Sequence, residues 1–483
     1  MLTRPAWRSL LLFLAALLLP LAAPAQRAAS FHERVKKFVA HDAPSIRIDN
    51  VRVVDGTGAP AREGQSILVR DGRIARLGSA EALDGEPAAT VIDGRGRTVL
   101  PGLVMMHEHL VFLDPLADAP SYASEPFASP KLYLAHGATT IRTAGTVSGI
   151  EDLRVASQIR DGQFVGPDIR VTAPFLEGPG SFAYQLMPIT DPDRARRIVR
   201  FWADEGASSF KFYMNVSRDV FKAAVGEAHQ RGIQVTGHLC SITFREAAEM
   251  GIDNLEHGIA VASDFVKDKE PDRCPPGRKS EEALLAADPG GPEMKAVIDT
   301  LVRHHVAVTS TLAVFAAGVV DWFPSQDDLG LLNAQSQAWA LRWLAFRQVP
   351  ARREALRKLL DAEMRFERAF VSAGGMLLAG TDPTGWGGTL PGRGNHATLR
   401  LMVEAGFTPL EAIHFATQNG ARFQKIDDRV GTIAEGKQAD LVLVDGKPDQ
   451  DISDLVKVDL VFRDGIAYDA KKLTADVRGK VGR

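Results

Sequence analysis

Several short apolar runs in this chain close on a residue type that binds metal. His107 and His109 end VLPGLVMMHEHL, Lys211 lies in SSFKFY, His238 in IQVTGHL, His257 in NLEHG and Asp382 in MLLAGTD. Runs of that length and composition read as buried parallel strands. Parallel barrels gather their chemistry at the C-terminal ends of their strands, so residues far apart in sequence can meet there. Imidazole and carboxylate donors meeting at one point are suited to a divalent cation, and the chemistry that follows is activation of water against a carbonyl.

His107 and His109 are two positions apart on a strand, so both side chains share one face while Glu108 points into the wall. The pair is therefore distinct from the helical zinc signature, whose histidines are four apart. Lys211 stands between Phe210 and Phe212, where an ammonium loses its solvation. Carboxylation by CO2 would turn it into an anion able to bridge two cations; the alternative is a rim lysine reaching water. His238 and His257 each adjoin a glycine, Gly237 and Gly258, which permits close approach of backbone and ligand. Asp382 could ligate a metal and also take a proton from water, although TDPTG would equally suit a turn or helix cap. Tyr213, just past Lys211, and His396, at a helix start beside the glycine-rich PTGWGGTLPGRGNH, are expected substrate contacts. Cys240, two residues after His238, reads as a packed thiol, and a bridge to Cys274 is left open.

These residues need a scaffold. Eight candidate strands (VLPGLVMM, TTIRTAG, DIRVTAPFL, SSFKFY, IQVTGHL, NLEHG, VAVTSTLAVF and MLLAGTD) alternate with helical segments such as DRARRIVRFWADEG and SRDVFKAAVGEAHQRG. That order predicts an α/β fold, a (β/α)8 TIM-type barrel, with a doubly wound sheet as the structural alternative. Strand–helix–strand units of this size are expected to put each ligand at the same level of the next strand. Before the barrel, IRIDNVRVVDG, SILVRDGRIARLG and ATVIDGRGRTVLPG alternate apolar and polar residues between Asp-Gly turns; GTIAEGKQADLVLVDG and KVDLVFRDGIAYDA do so after it. The expected organisation is a signal peptide (1–25), a polar helix-like leader (26–45), a β-sandwich whose two parts are 46–103 and 426–483 (the latter with the tail), and the barrel over 104–425 between them. The polar, proline-rich 263–292 segment and the loop after Asp382 are expected to shape the site.

With 45% hydrophobic and 24% charged residues and a net charge of -3, the chain has a globular balance and no basic run to attract nucleic acid. A small molecule or dipeptide is the expected partner, and self-association into a homo-oligomer stays open. Arg4 and Arg8 precede the apolar stretch Leu10 to Leu19 and then Ala23-Pro24-Ala25, a signal-peptide pattern too short for a stable membrane anchor. The expectation is export, to a bacterial periplasm or beyond.

Taken together, VLPGLVMMHEH, GASSFKFY, VTGH, NLEHG, LAGTDP and the closing GTIAEGKQADLVLVDG resemble the amidohydrolase superfamily, in the branch of imidazolonepropionase and the prolidase-like metal-dependent dipeptidases. The resemblance implies two divalent metal ions, zinc by ligand type. His107 and His109 would bind the deeper ion and His238 and His257 the more exposed one. Lys211, as a CO2-derived carbamate, would bridge them. Asp382 would ligate the first and act as catalytic base and acid. It implies hydrolysis of an amide C–N bond, in a dipeptide or N-acyl amino acid, by a metal-bridging hydroxide. The alternative within the superfamily is a mononuclear deaminase or cyclic-amide (imidazolone-type) hydrolase. Where the family commonly carries aspartate, two before the first histidine, this chain has Met105, so a hydrogen bond from that position to the histidine pair is not expected.

Overall fold

The structure is a computed structural model that describes residues 27–118 and 120–482. Eight short parallel strands form its centre: β1 (Leu103–Glu108), β2 (Ala138–Thr143), β3 (Asp168–Arg170), β4 (Ser209–Phe212), β5 (Gln234–Gly237), β6 (Asn254–Glu256), β7 (Ala307–Ser310) and β8 (Leu377–Ala379). β1 pairs with β2 and β2 with β3, and β4 to β8 pair in sequence order. Bridges Thr172–Ser209 and Leu176–Phe212 join the extension of β3 to β4. The Thr381 and Asp382 N–H groups both donate to the His107 carbonyl at 3.0 Å, which closes the ring between β8 and β1. The fold is the TIM-type barrel rather than a doubly wound sheet.

The helices between strands form for local reasons. Pro192–Asp204 starts at Asp191, whose carboxylate accepts from the Asp193 and Arg194 N–H groups, and Pro192 opens its first turn. It buries Ala195 and Val199 against Arg218–Gln230, which buries Val220, Phe221, Ala224 and Ala228. Phe212 of β4 meets Phe221 with ring centroids 4.3 Å apart. Truncating either would cost about 3–5 kcal/mol, so β4, the strand that carries Lys211, is firmly seated.

Strand register shows how the ligand candidates come to one level. Lys211 pairs with Thr236, two short of His238, and Gly237 pairs with Leu255, two short of His257. The ligand candidates thus climb along successive strands, by two residues from Lys211 to His238 and by one from His238 to His257. Tilted barrel strands require such a climb, because a level ring around the axis advances about one residue per strand.

The terminal segments meet in one nine-stranded sheet. Ile46, Ile48, Ile67, Val69, Leu443 and Phe462 from both ends of the chain share a single apolar core, so the sheet folds over itself as a sandwich. Asp71-Gly72 and Asp464-Gly465 turn two hairpins with positive φ at both residues (50° and 80°, 53° and 76°), the primed geometry that Asp-Gly favours. These tips abut: a Cβ on Gly465 would lie 2.6 Å from the Gly72 Cα. The leader is only partly helical. Glu33–Lys36 makes a single turn, and Val39–His41 then adds an antiparallel edge strand beside Ile466–Asp469. The predicted signal peptide lies outside the described residues. Among the described residues no helix is long and apolar enough to cross a membrane.

Candidate metal centre and active site

The barrel brings His107, His109, Lys211, His238, His257 and Asp382 to the wall of one cavity of about 230 Å³. His107 is the penultimate residue of β1 and His109 follows the strand; Lys211 lies within β4; His238 and His257 stand one residue beyond β5 and β6. Asp382 and His257 adopt left-handed backbone conformations, with φ of 58° and 67°, an uncommon state that concentrates at functional sites. Ligand atoms of His107, His257 and Asp382 lie within 4.8 Å of one another, a group able to hold a metal ion. The His107 ring centroid is 5.3 Å from that of His109 and 4.5 Å from that of His257, which is in turn 4.5 Å from His238.

The hydrogens on these rings can be assigned from their outer partners. Nδ1 of His109 faces the Gly145 carbonyl at 3.1 Å, an oxygen that only accepts, so Nδ1 carries the hydrogen. Nδ1 of His107 donates to Glu256 Oε2 at 2.7 Å. Burial alone would raise the Glu256 carboxyl, but the Arg142 guanidinium, 2.6 Å away, and His107 hold it well below the usual carboxylate range. Both Nε2 atoms therefore present lone pairs inward, and both face Asp382 Oδ1, at 3.6 Å from His107 and 3.1 Å from His109. Lone pairs of two imidazoles and a carboxylate aimed at one point repel unless a proton or a cation lies between them. The donor set fits a metal.

The other donors are also kept in ligating form. Burial holds His238 down to about 3 and His257 well below the usual imidazole range, so both are neutral at pH 7. His257 Nδ1 is anchored on Thr311 Oγ1 at 2.9 Å. Lys211 is buried and pulled down by that burial to about 8; its neutral amine, the form that adds CO2, is accessible near neutral pH.

Of the two expected substrate contacts, Tyr213 lines the cavity, its ring 5.0 Å from that of His238. His396 does not. The helix Arg393–Glu404 turns it outward, where Nε2 donates to the His136 carbonyl at 2.8 Å. The 263–292 segment is likewise absent from the lining; it contains the helix Gly277–Ala286, and a Cys240–Cys274 disulfide ties it to the end of β5. The loop after Asp382 does contribute, through Thr384 and Trp386. Glu108 points into the wall as expected, where Asn395 Nδ2 donates to it at 2.6 Å.

Sequence reasoning missed Glu256 and Arg142, the buried pair behind His107. Each is a charged residue inside an apolar strand run, and that anomaly was the available signal. Met105 is buried in β1, and the outer hydrogen bond to His107 comes from Glu256 across the barrel instead. Replacing Glu256 with glutamine is expected to leave Arg142 buried without its counter-charge and to destabilise the fold by about 3–5 kcal/mol. It is also expected to weaken metal affinity roughly 10–100-fold. Urea unfolding and metal titration of the variant measure the two effects; unchanged values would remove Glu256 from the centre.

A family model described as the amidohydrolase family matches residues 98–467. The chain belongs to the amidohydrolase family. This amidohydrolase is 30% identical to an uncharacterized protein of Mycobacterium tuberculosis over 255 residues, 46% of this chain and 60% of that protein, so the match spans about three fifths of the relative's length. Among solved structures it is similar to bottromycin amidohydrolase, with TM-score 0.68 and 23% identity over 93% of this chain and 92% of that one. A Xaa-Pro dipeptidase with methionine bound in its active site gives TM-score 0.67 and 22% identity over 88% of this chain and 100% of that one. At such identities the likeness is one of fold, and it extends over the barrel and the β-rich domain together.

Proposed function

We propose that this amidohydrolase is an exported, binuclear metal-dependent hydrolase that cleaves an amide C–N bond in a small molecule. The observation that carries this reading is the convergence of His107 Nε2 and His109 Nε2 on Asp382 Oδ1, with their Nδ1 hydrogens turned away. His107, His109 and Asp382 would hold one divalent cation, His238 and His257 the second, and Lys211, carboxylated, would join both. When bound, such cations polarise a carbonyl and make water acidic enough to ionise near neutral pH. Asp382 accepts the proton that water loses and returns it to the departing nitrogen. The acyl carbon gains the hydroxyl, the amine gains the proton, and the C–N bond breaks with no other reactant. Tyr213, two residues past Lys211, lines the same cavity and would border the substrate carbonyl. The signal-peptide pattern supports export to the periplasm, and the Cys240–Cys274 disulfide is in keeping with an oxidising compartment.

One observation favours a second reading. The tightest donor group, His107, His257 and Asp382, is enough for a single ion, as in a mononuclear deaminase or cyclic-amide hydrolase with Lys211 unmodified. Amine release from a panel of amides is expected to stop on chelation and to return with zinc and bicarbonate. Hydrolysis that survives removal of metal would overturn both readings.

A further inference from the structure

The cavity has two unlike halves. One carries the histidines, Lys211 and Asp382; the other is formed by Val111, Tyr122, Phe175, Phe182, Leu186 and Trp386. The aromatic rings of this second wall brace one another: Phe175 lies 5.0 Å and Phe182 5.9 Å from Tyr213, and Tyr122 lies 6.4 Å from Phe182. Their polar atoms are engaged, since Trp386 Nε1 donates to the Tyr122 hydroxyl at 3.1 Å and Gln185 clasps the Tyr122 backbone with two hydrogen bonds of 2.8 Å. The apolar character continues outward, where Tyr184 and Met187 are exposed.

Charge points the same way. Among the described residues lining the cavity, Lys211 is the sole lysine or arginine. The segments that follow the strands (110–127, 171–191, 213–217, 239–244, 258–266, 311–325 and 383–392) hold neither residue, and the charged side chains they do hold, such as Asp114, Asp118, Glu177 and Asp264, are carboxylates. Of the cations that come next in sequence, Arg218 pairs with Asp272 and Glu246, Arg245 with Asp264, and Arg393 with Asp327 and Asp328, while Lys267 lines a separate pocket with Lys279 and Glu282.

We infer that the substrate is a neutral or cationic amide with an apolar, preferably aromatic, group beside the scissile bond, and that a free carboxylate at that end is rejected. The inference rests on the amide-hydrolase reading and narrows it. A carboxylate carried into the second wall would be desolvated without a lysine or arginine to pair with it. An aromatic group there exchanges water for ring edges and faces. Among dipeptides and N-acyl amino acids, those with a blocked C-terminus fit, and those with a free one do not.

Matched pairs test this on the zinc-loaded full chain. N-acylphenylalaninamides are compared with N-acylphenylalanines, and N-acyl-4-aminobenzamides with N-acyl-4-aminobenzoates, using phenylacetyl, acetyl and leucyl as acyl groups. Acyl release is followed chromatographically. The neutral member of each pair is expected to have a kcat/KM at least about tenfold higher. Phe182→Arg, which places a cation at the wall, is expected to shrink that ratio. Equal or better turnover of the carboxylates would overturn the inference while leaving amide hydrolysis intact. An unchanged ratio in a Phe182→Arg chain that still cleaves the neutral member would also count against it. No cleavage of any pair by a metal-loaded chain would overturn the amide-hydrolase reading itself.

Discussion

Lys211→Ala is expected to lower kcat by on the order of 10³-fold or more and to reduce the metal retained per chain. Lys211 is buried on β4 between Phe210 and Phe212, and its side chain ends in the cavity shared with His238, His257 and Asp382. As an ammonium it would repel cations placed among those donors. As a carbamate, formed from the neutral amine and CO2 with loss of a proton, it would bring one negative charge and two ligating oxygens to their midpoint. Alanine removes that anion without leaving an unpaired charge in the wall, because Glu256 keeps Arg142 and His107 as partners. Folding stability is therefore expected to change much less than activity. Thermal unfolding, elemental analysis and kcat on the same preparation separate the two effects. Partial return of activity with formate or acetate would support a missing carboxylate, and full activity of the alanine variant without them would contradict the bridging role.

The second large effect is expected at Asp382. Asparagine keeps the size of the side chain and tolerates the left-handed backbone seen there, where φ is 58°. It does not supply a basic oxygen. A loss of about 10²–10⁴-fold in kcat is expected for removing a positioned general base, with a further decrease if the first metal is held less firmly. The informative readout is the split between kcat and metal content: a chain that binds its metal and fails to turn over places Asp382 in proton transfer. A variant with normal kcat would remove it from the chemistry.

The barrel and the candidate ligands were legible because two signals coincide. Each ligand candidate stands at or near the end of an apolar run, and helical segments lie between most of the runs. Hydrophobic periodicity locates the strands, and strand direction gathers their ends. What failed to show was set by contacts between strands and loops. The Arg142–Glu256–His107 chain links β2, β6 and β1, a proximity fixed by ring closure and register. His396 looked site-facing because it opens a helix beside a glycine-rich loop, but the rotation of that helix sends it to His136. The apolar wall was missed because Tyr122 and Trp386 come from segments with no periodic pattern, joined through one indole hydrogen bond. The leader read as helical from its polar composition, yet Val39–His41 takes the free edge beside Ile466–Asp469, where backbone pairing outweighs a weak local preference.

Metal stoichiometry tests the central claim most directly. The purified chain, reconstituted with zinc and bicarbonate and freed of loosely bound ions, would be analysed for metal per polypeptide by elemental analysis. Two ions per chain are expected, falling in Lys211→Ala. A single ion per chain at full activity, unaffected by the Lys211 substitution, would contradict the binuclear centre and transfer the assignment to the mononuclear reading.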